Sequence, residues 1–316
     1  MKFKCVIFFV FLLTNTILSF GREIRIVTWN ARELFNVDSV TIRSRDFYRF
    51  SKTIKPDILC LEEVTSYKVV EAIRDAMHLK GYYVACSDFQ QRDDQRYNAF
   101  EVAIISKYPF SHVLEYDPIP DNIEKVDPPE IALQPSWELG MPALLTYRGF
   151  LWVKIENPKA TIVVTHLKSS RGYVGENDLR NARQREFVTA AIAKSVLQDQ
   201  FYFPEYANIV CGDFNVGHSD SLKNGVDLEN DFTILGDGDL YDDTHAILGG
   251  GLINGLRLRN AGLSITESTF PRYPGSPIDN IYVGGIFVDF FYEAKTTSED
   301  TFGSDHKPVW IDWRQP

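Results

Sequence analysis

Gly303-Ser304-Asp305-His306-Lys307-Pro308-Val309-Trp310 sets an acid and an imidazole at the start of an apolar β-type run that continues through Ile311. Short polar triplets are common in loops, so this one gains weight from three earlier stretches of the same shape. Arg25-Ile26-Val27-Thr28-Trp29-Asn30, Ile58-Leu59-Cys60-Leu61-Glu62-Glu63 and Ile209-Val210-Cys211-Gly212-Asp213-Phe214-Asn215 each run apolar and then turn to metal- or phosphate-competent residues. Strand ends that converge on one polar pocket are how a sheet scaffold makes an active site.

Working outward, strand-like runs recur at 24–29, 58–61, 82–85, 102–106, 151–155, 161–165, 209–211, 278–283, 287–292 and 309–313. Many are continuously apolar or β-branched, as expected of strands covered on both faces. Helical stripes lie between them: Phe47, Phe50 and Ile54 along 44–53; Val69, Val70, Ile73 and Met77 along 66–79; Phe187, Ala190, Ala191 and Leu197 along 178–197. This mixture predicts a layered α/β or α+β domain, with sheets packed on each other and helices outside. The proline-rich stretch 117–142, with its lone Trp137, and the Gly- and Asp-rich stretch 217–275 read as surface insertions.

The first 21 residues carry Lys2 and Lys4, a short apolar core from Cys5 to Leu13, and the small residues Ser19 and Gly21 before Arg22. This is the pattern of a secretory signal peptide, too short in its apolar part for the roughly 20 residues that cross a bilayer. Residues 22–316 are then expected to form a single domain, exported to an extracellular or periplasmic space. Losing Lys2 and Lys4 carries the net charge of -10 to about -12. Such a chain gains no long-range attraction to nucleic acid or anionic lipid from its overall charge, which excludes a DNA-coating protein but not an enzyme with a locally cationic cleft. Cys60, Cys86 and Cys211 remain, an odd number. Cys60 alternates with Glu63, whereas Cys211 shares parity with Asp213. If both acids face one pocket, the two thiols face different layers, and small buried apolar side chains are expected rather than a disulfide framework.

Glu63 closes a buried-looking run, and oxygen ligands at strand ends suit a hard cation such as Mg²⁺, with Asn30 and Asp305 able to complete the site. Zinc would ask for a Cys/His cluster that the spacing does not contain. Thr165-His166-Leu167-Lys168 follows an apolar run, so His166 and His306 are two of the six histidines at strand ends. A histidine held by a carboxylate keeps one tautomer and exchanges a proton near neutral pH. Asp279, in Ser276-Pro277-Ile278-Asp279-Asn280, is the candidate partner of His306. Glu101, in Phe100-Glu101-Val102, is the candidate partner of His166.

Trp29-Asn30, Leu61-Glu62-Glu63, Thr165-His166-Leu167-Lys168, Gly212-Asp213-Phe214-Asn215, Ile278-Asp279-Asn280-Ile281 and Ser304-Asp305-His306-Lys307-Pro308-Val309 occur in the order and rough spacing of the endonuclease/exonuclease/phosphatase superfamily. The chain resembles its deoxyribonuclease-I-like branch in the wide sense, from about Ile24 to Trp313. The resemblance implies a four-layer α/β sandwich of two packed mixed β-sheets flanked by helices, and a divalent-metal phosphoesterase site at one edge. By motif, Glu63 matches the metal-ligand glutamate, with Asn30 and Asp305 beside it. Asp213 and Asn215 match the pair that orients the nucleophile and contacts the scissile phosphate. His306 matches the histidine paired with the aspartate at Asp279, and His166 the second phosphate-side histidine. Glu101 as a catalytic partner and Arg148 as a substrate-contacting arginine follow from local similarity alone. Glu62 stands where relatives often carry Gln, which adds a negative charge beside Glu63.

The expected function is a secreted divalent-metal-dependent phosphodiesterase that cleaves DNA or RNA, with Mg²⁺ as cofactor or Mn²⁺ or Ca²⁺ in its place. Asp213 or the Asp279–His306 pair would activate water, while His166 and Asn215 donate to phosphate oxygens. Two alternatives stand beside it. One is a secreted lipid phosphodiesterase of sphingomyelinase type, meeting membrane lipid through Trp137 and Phe287, Phe290, Phe291 and Tyr292. The other is a catalytically silent relative that binds a surface partner, against which the retention of every polar motif position argues. A phosphoinositide phosphatase fits less well, because Pro277-Ile278-Asp279-Asn280 lacks the Trp and Arg expected around that aspartate.

Overall fold

A computed structural model of the chain describes residues 23–89, 100–116, 148–169, 179–217, 242–249, 253–272, 275–285 and 288–314. The strand-like runs assemble into two six-stranded mixed sheets. The first contains, in spatial order, β11 (Lys295–Thr296), β12 (Val309–Arg314), β1 (Glu23–Leu34), β2 (Ile58–Val64), β4 (Glu101–Ser106) and β3 (Tyr83–Cys86). The second contains β5 (Phe110–Tyr116), β6 (Phe150–Glu156), β7 (Lys159–His166), β8 (Ala207–Asp213), β10 (Asp279–Gly284) and β9 (Leu258–Asn260).

Each sheet has one parallel pair at its centre, β1 beside β2 and β7 beside β8, with antiparallel neighbours on both sides. Parallel neighbours need a crossover connection. Helices α1 (Val37–Ile42) and α2 (Ser44–Ile54) supply it in the first sheet, and α4 (Leu179–Tyr202) in the second. The topology therefore gathers the C-terminal ends of β1, β2, β7 and β8 with the N-terminal starts of β4, β6, β10 and β12. All the expected site residues sit at those ends.

Strand alternation sorts side chains into layers. One set of faces meets between the sheets, where Ile26, Ile58, Cys60, Ile104, Ile162, Val164, Cys211, Ile281 and Ile311 are fully buried. The outer face of the first sheet packs under α1, α2 and α3 (Tyr67–Ala76) through Val27, Trp29, Phe47, Phe50 and Ile73. Trp29 stacks on Phe50 at 4.4 Å between centroids. The outer face of the second sheet packs under α4 and α5 (Thr244–Gly249) through Val163, Val188, Val210, Ile247 and Tyr282. Burying side chains such as Phe47 and Phe50 contributes about 1.5–3 kcal/mol each. The result is the helix–sheet–sheet–helix sandwich that the resemblance implied.

Four expectations change. The run at 287–292, whose Phe287 lies outside the described residues, gives no strand over 288–292: Val288–Phe290 forms a 3₁₀ turn, and Phe291 makes one bridge to Trp313. Among its described residues only Phe291 is buried, stacked on Trp313, while Phe290 is 41% exposed, so 288–292 lacks the two-sided burial of a central strand. The stretch 217–275 is partly built into the fold, contributing α5 and β9, with His245 buried against Tyr282 and Val216. Cys60 and Cys211 share the layer between the sheets, as free thiols, instead of facing different layers. The cause is a β-bulge between Glu62 and Val64, which breaks the parity from which the opposite expectation followed. Finally, β5, β9 and β11 arise from short or weakly apolar runs. The stretch 117–142 and the first 21 residues lie outside the described residues.

Candidate active site

The row of side chains facing between the sheets changes from apolar to polar at one height on every central strand. On β1 it runs Ile24, Ile26, then Thr28 and Asn30; on β2, Ile58, Cys60, then Glu62. On β7 it runs Ile162, Val164, then His166; on β8, Ile209, Cys211, then Asp213; on β10, running the other way, Val283, Ile281, then Asp279. In the second sheet the ladder itself sets these neighbours, with His166 opposite Asp213 and Asp213 opposite Asp279.

Asp213 is the meeting point. The Asn30 side-chain amide donates to Asp213 Oδ2 at 3.1 Å and to Glu63 Oε1 at 3.0 Å, joining the two sheets. His166 Nε2 stands 3.6 Å and His306 Nε2 3.8 Å from the same Asp213 oxygen. His306 Nδ1 donates to Asp279 Oδ2 at 2.9 Å, the pairing expected from the sequence. The backbone N–H of Asn215 donates to Asp213 Oδ1 at 2.8 Å from a left-handed conformation that Asn adopts more readily than most residues, and the Asn215 amide donates to Leu167 O at 2.9 Å. Ser304 ties the His306 loop to β1, donating to Asn30 O at 2.7 Å while accepting from His306 N–H. Thr269 accepts from the N–H of Asp279, and the Phe270 ring stacks on His306 at 4.6 Å.

Glu63 reaches the site from the bulge. Its φ is +61°, a region that L residues with a Cβ seldom enter. The neighbouring Arg32 and Glu33 are also left-handed, and Glu33 N–H donates to Glu63 Oε2 at 2.8 Å.

Burial and charge divide the ionisable groups into roles. Burial lowers the His306 pKa, but the Asp279 and Asp213 carboxylates outweigh it and raise it to about 10, so this imidazole is cationic near neutrality. His166 is driven the other way by burial and by Arg148, and stays neutral. Arg148 Nη1 lies 2.8 Å from His166 Nδ1. A guanidinium only donates, so Nδ1 accepts and the proton sits on Nε2, the atom nearest Asp213. Burial and the neighbouring Asp279 raise the Asp213 carboxyl to about 7, the range of a working general base. Burial holds Glu62 protonated well above its usual range despite the hydrogen bond from Thr28 at 2.7 Å. The shift favours the neutral form of Glu62, against the expectation of an added charge beside Glu63.

Glu101 is not the partner of His166. Its carboxylate accepts from Ser87 Oγ at 2.6 Å and from Phe89 N–H at 2.9 Å, because β4 starts opposite Val64 and turns this side chain toward the 87–89 segment. Arg148, expected to contact substrate, stands beside His166, where Glu101 was expected. Asp305 lies at the rim, its Oδ2 3.6 Å from Arg32 Nε and 3.9 Å from Arg272 Nη1. Thr28, Ser304, Thr269 and Phe270 support the site and escaped sequence reading. Thr28 was within reach, since it shares parity with Asn30; the others sit in loops with no periodic signal.

Asp213, Asp279 and His306 offer ligand atoms within 4.8 Å of one another, a group able to hold a metal ion. His306 Nδ1 is committed to Asp279, however, so the oxygen donors beside that pair suit a hard cation better. These are Glu63 and Asn30, joined by the Asn30 amide.

The model of the endonuclease/exonuclease/phosphatase family matches residues 27–306. The chain belongs to that family. No curated protein matches it by sequence. Among solved structures, it is similar to an endonuclease/exonuclease/phosphatase from Bacteroides vulgatus, with 17% identity and TM-score 0.58 over 94% of this chain and 100% of that one. It is also similar to a 3' phosphatase from Neisseria bound to product DNA hairpin, with 16% identity and TM-score 0.56 over 92% and 99%. A third likeness is to SmcL, with 15% identity and TM-score 0.59 over 92% and 99%. At these identities the shared feature is the fold: two mixed sheets packed face to face.

Proposed function

We propose that this member of the family is a secreted, divalent-cation-dependent phosphodiesterase that cleaves nucleic acid. One observation carries the reading: a single Asp213 oxygen faces Asn30, His166 and His306, with His306 backed by Asp279. Asp213, poised near 7, accepts a proton from the attacking water. His306, cationic and oriented by Asp279, neutralises charge on a non-bridging phosphate oxygen, and His166 donates from Nε2 to another. Asn30 keeps Glu63 and Asp213 in register. Glu63 and Asn30 would hold the cation, which supplies Lewis acidity and charge neutralisation when bound. A nucleic-acid substrate is supported by the DNA bound to the Neisseria structure, and export by the leader-like first 21 residues.

The test is a panel of plasmid, linear DNA, RNA and sphingomyelin vesicles with Mg²⁺, Mn²⁺ or Ca²⁺, each repeated in EDTA. Cleavage of one or more nucleic acids that EDTA abolishes is expected. Phosphocholine release with intact nucleic acids would overturn the substrate class, and activity indifferent to EDTA would overturn the cation.

A further inference from the structure

The geometry points to Arg32 and Arg272, seated on Asp305, as a clamp for a second phosphate of the substrate, the one flanking the scissile bond. The proposal rests on the phosphodiesterase reading and narrows it to a polyanionic chain rather than a substrate with one phosphate.

Each member of the trio is tied to a site residue. The backbone N–H of Arg32 donates to Asn30 Oδ1 at 3.0 Å. Arg272 lies two positions beyond Phe270, whose ring covers His306. Asp305 immediately precedes His306. Both arginines approach the same oxygen, Asp305 Oδ2, at 3.6 and 3.9 Å. These separations exceed the roughly 2.7–2.9 Å of a charge-assisted hydrogen bond, so the carboxylate holds the forks near each other without saturating them. Among the described residues neither guanidinium donates a hydrogen bond, and the side chains are 39% and 61% exposed.

Charge supports the same reading. Two arginines face one carboxylate at the mouth of a phosphoester site, in a chain whose net charge is -10. A local reversal of sign at a cleft steers and holds anions. Arg148 is committed elsewhere: half-buried, it donates to His166 Nδ1 at 2.8 Å. Arg43, also near Asp305, is spent on the carbonyls of Ala31, Arg32 and Phe302. Paired guanidinium forks match the geometry of a phosphate, which a lysine does not. The backbone of Arg32, two residues after Asn30, is left-handed at φ +57°.

Arg32→Gln, Arg272→Gln and the double variant would be compared with the native chain on a single-stranded DNA 10-mer and on bis(4-nitrophenyl) phosphate, a diester with no flanking phosphate. For the oligonucleotide, each single change should raise KM about fivefold with little change in kcat. The loss in kcat/KM should exceed that on the small diester at least fivefold. Binding of a fluorescein-labelled 10-mer in EDTA, read by anisotropy against KCl, should show the log–log salt slope falling by about 0.7 per arginine removed. Arg272→Lys should keep the slope and give an intermediate KM. Equal losses on both substrates, or an unchanged KM and salt slope, would overturn the clamp. Failure of the native chain to hydrolyse either substrate, with the anisotropy slopes still falling, would sink the catalytic reading and leave the clamp standing.

Discussion

The two sheets deliver their site residues by opposite means. In the second, β7, β8 and β10 remain regular to their ends, so His166, Asp213 and Asp279 are ladder neighbours. In the first, the register shifts after Asn30 and again after Glu62, and Arg32, Glu33 and Glu63 take left-handed backbone. Regular strands place a group by alternation alone. The irregular half re-aims a carboxylate that alternation would have turned away from the inter-sheet layer, at a conformational cost that the surrounding packing sustains. The regular half holds His166, Asp213 and Asp279, and the irregular half holds Asn30 and Glu63, the oxygen donors suited to a cation.

That division can be broken most forcefully at the pair that joins the halves, Asp279 on β10 and His306 just before β12. His306→Ala should lower kcat by about 10³-fold, and Asp279→Asn by a comparable amount, while thermal melting stays near native. Equal activity in the variants would dissolve the assignment. The pH profile comes next. kcat/KM should rise as pH passes about 7, where Asp213 must lose its proton to act as base, and fall as pH passes about 10, where His306 loses its own. A profile that is flat from pH 6 to 8 would separate Asp213 from the chemistry.

On the irregular side, Glu63→Ala and Glu63→Gly should both weaken cation binding, read by calorimetric titration. They should differ in stability. Glycine accepts φ near +61° freely, so the Gly variant should be about 1 kcal/mol more stable than the Ala variant. Identical melting temperatures would mean that the bulge carries no strain. The smallest effect is expected at Glu62. Its folded-state pKa is raised, so its contribution to stability is full below about 4.5 and declines as pH rises. Glu62→Gln removes that dependence and should raise Tm at pH 8 by about 2–4 °C per kcal/mol relieved, with little change at pH 5. A lower Tm at pH 8 would count against a neutral Glu62.

The same contrast explains what could be read in advance. His166, Asp213, Asp279 and His306 were legible, including the Asp279–His306 pair, because each ends or precedes an apolar run of regular period. The assignment of the two thiols to different layers failed at Glu63, since one inserted residue inverts parity and leaves no compositional mark. Glu101 was misassigned as the partner of His166 for a related reason: proximity in a motif does not say which way the first residue of a strand turns. The 287–292 run misled because apolar content alone does not distinguish a strand from a turn that plugs the end of a core.

The amino-acid sequence by itself determined the layers and the polar ends of the strands, because burial of apolar faces and the twofold period of a strand are local properties. Only the tertiary structure decided that Glu63 reaches the site, that Arg148 rather than Glu101 orients His166, and that Arg32 and Arg272 meet on Asp305. Those outcomes depend on bulges, left-handed residues and approaches between segments up to 273 positions apart, where no periodic pattern in the chain records which groups will face each other.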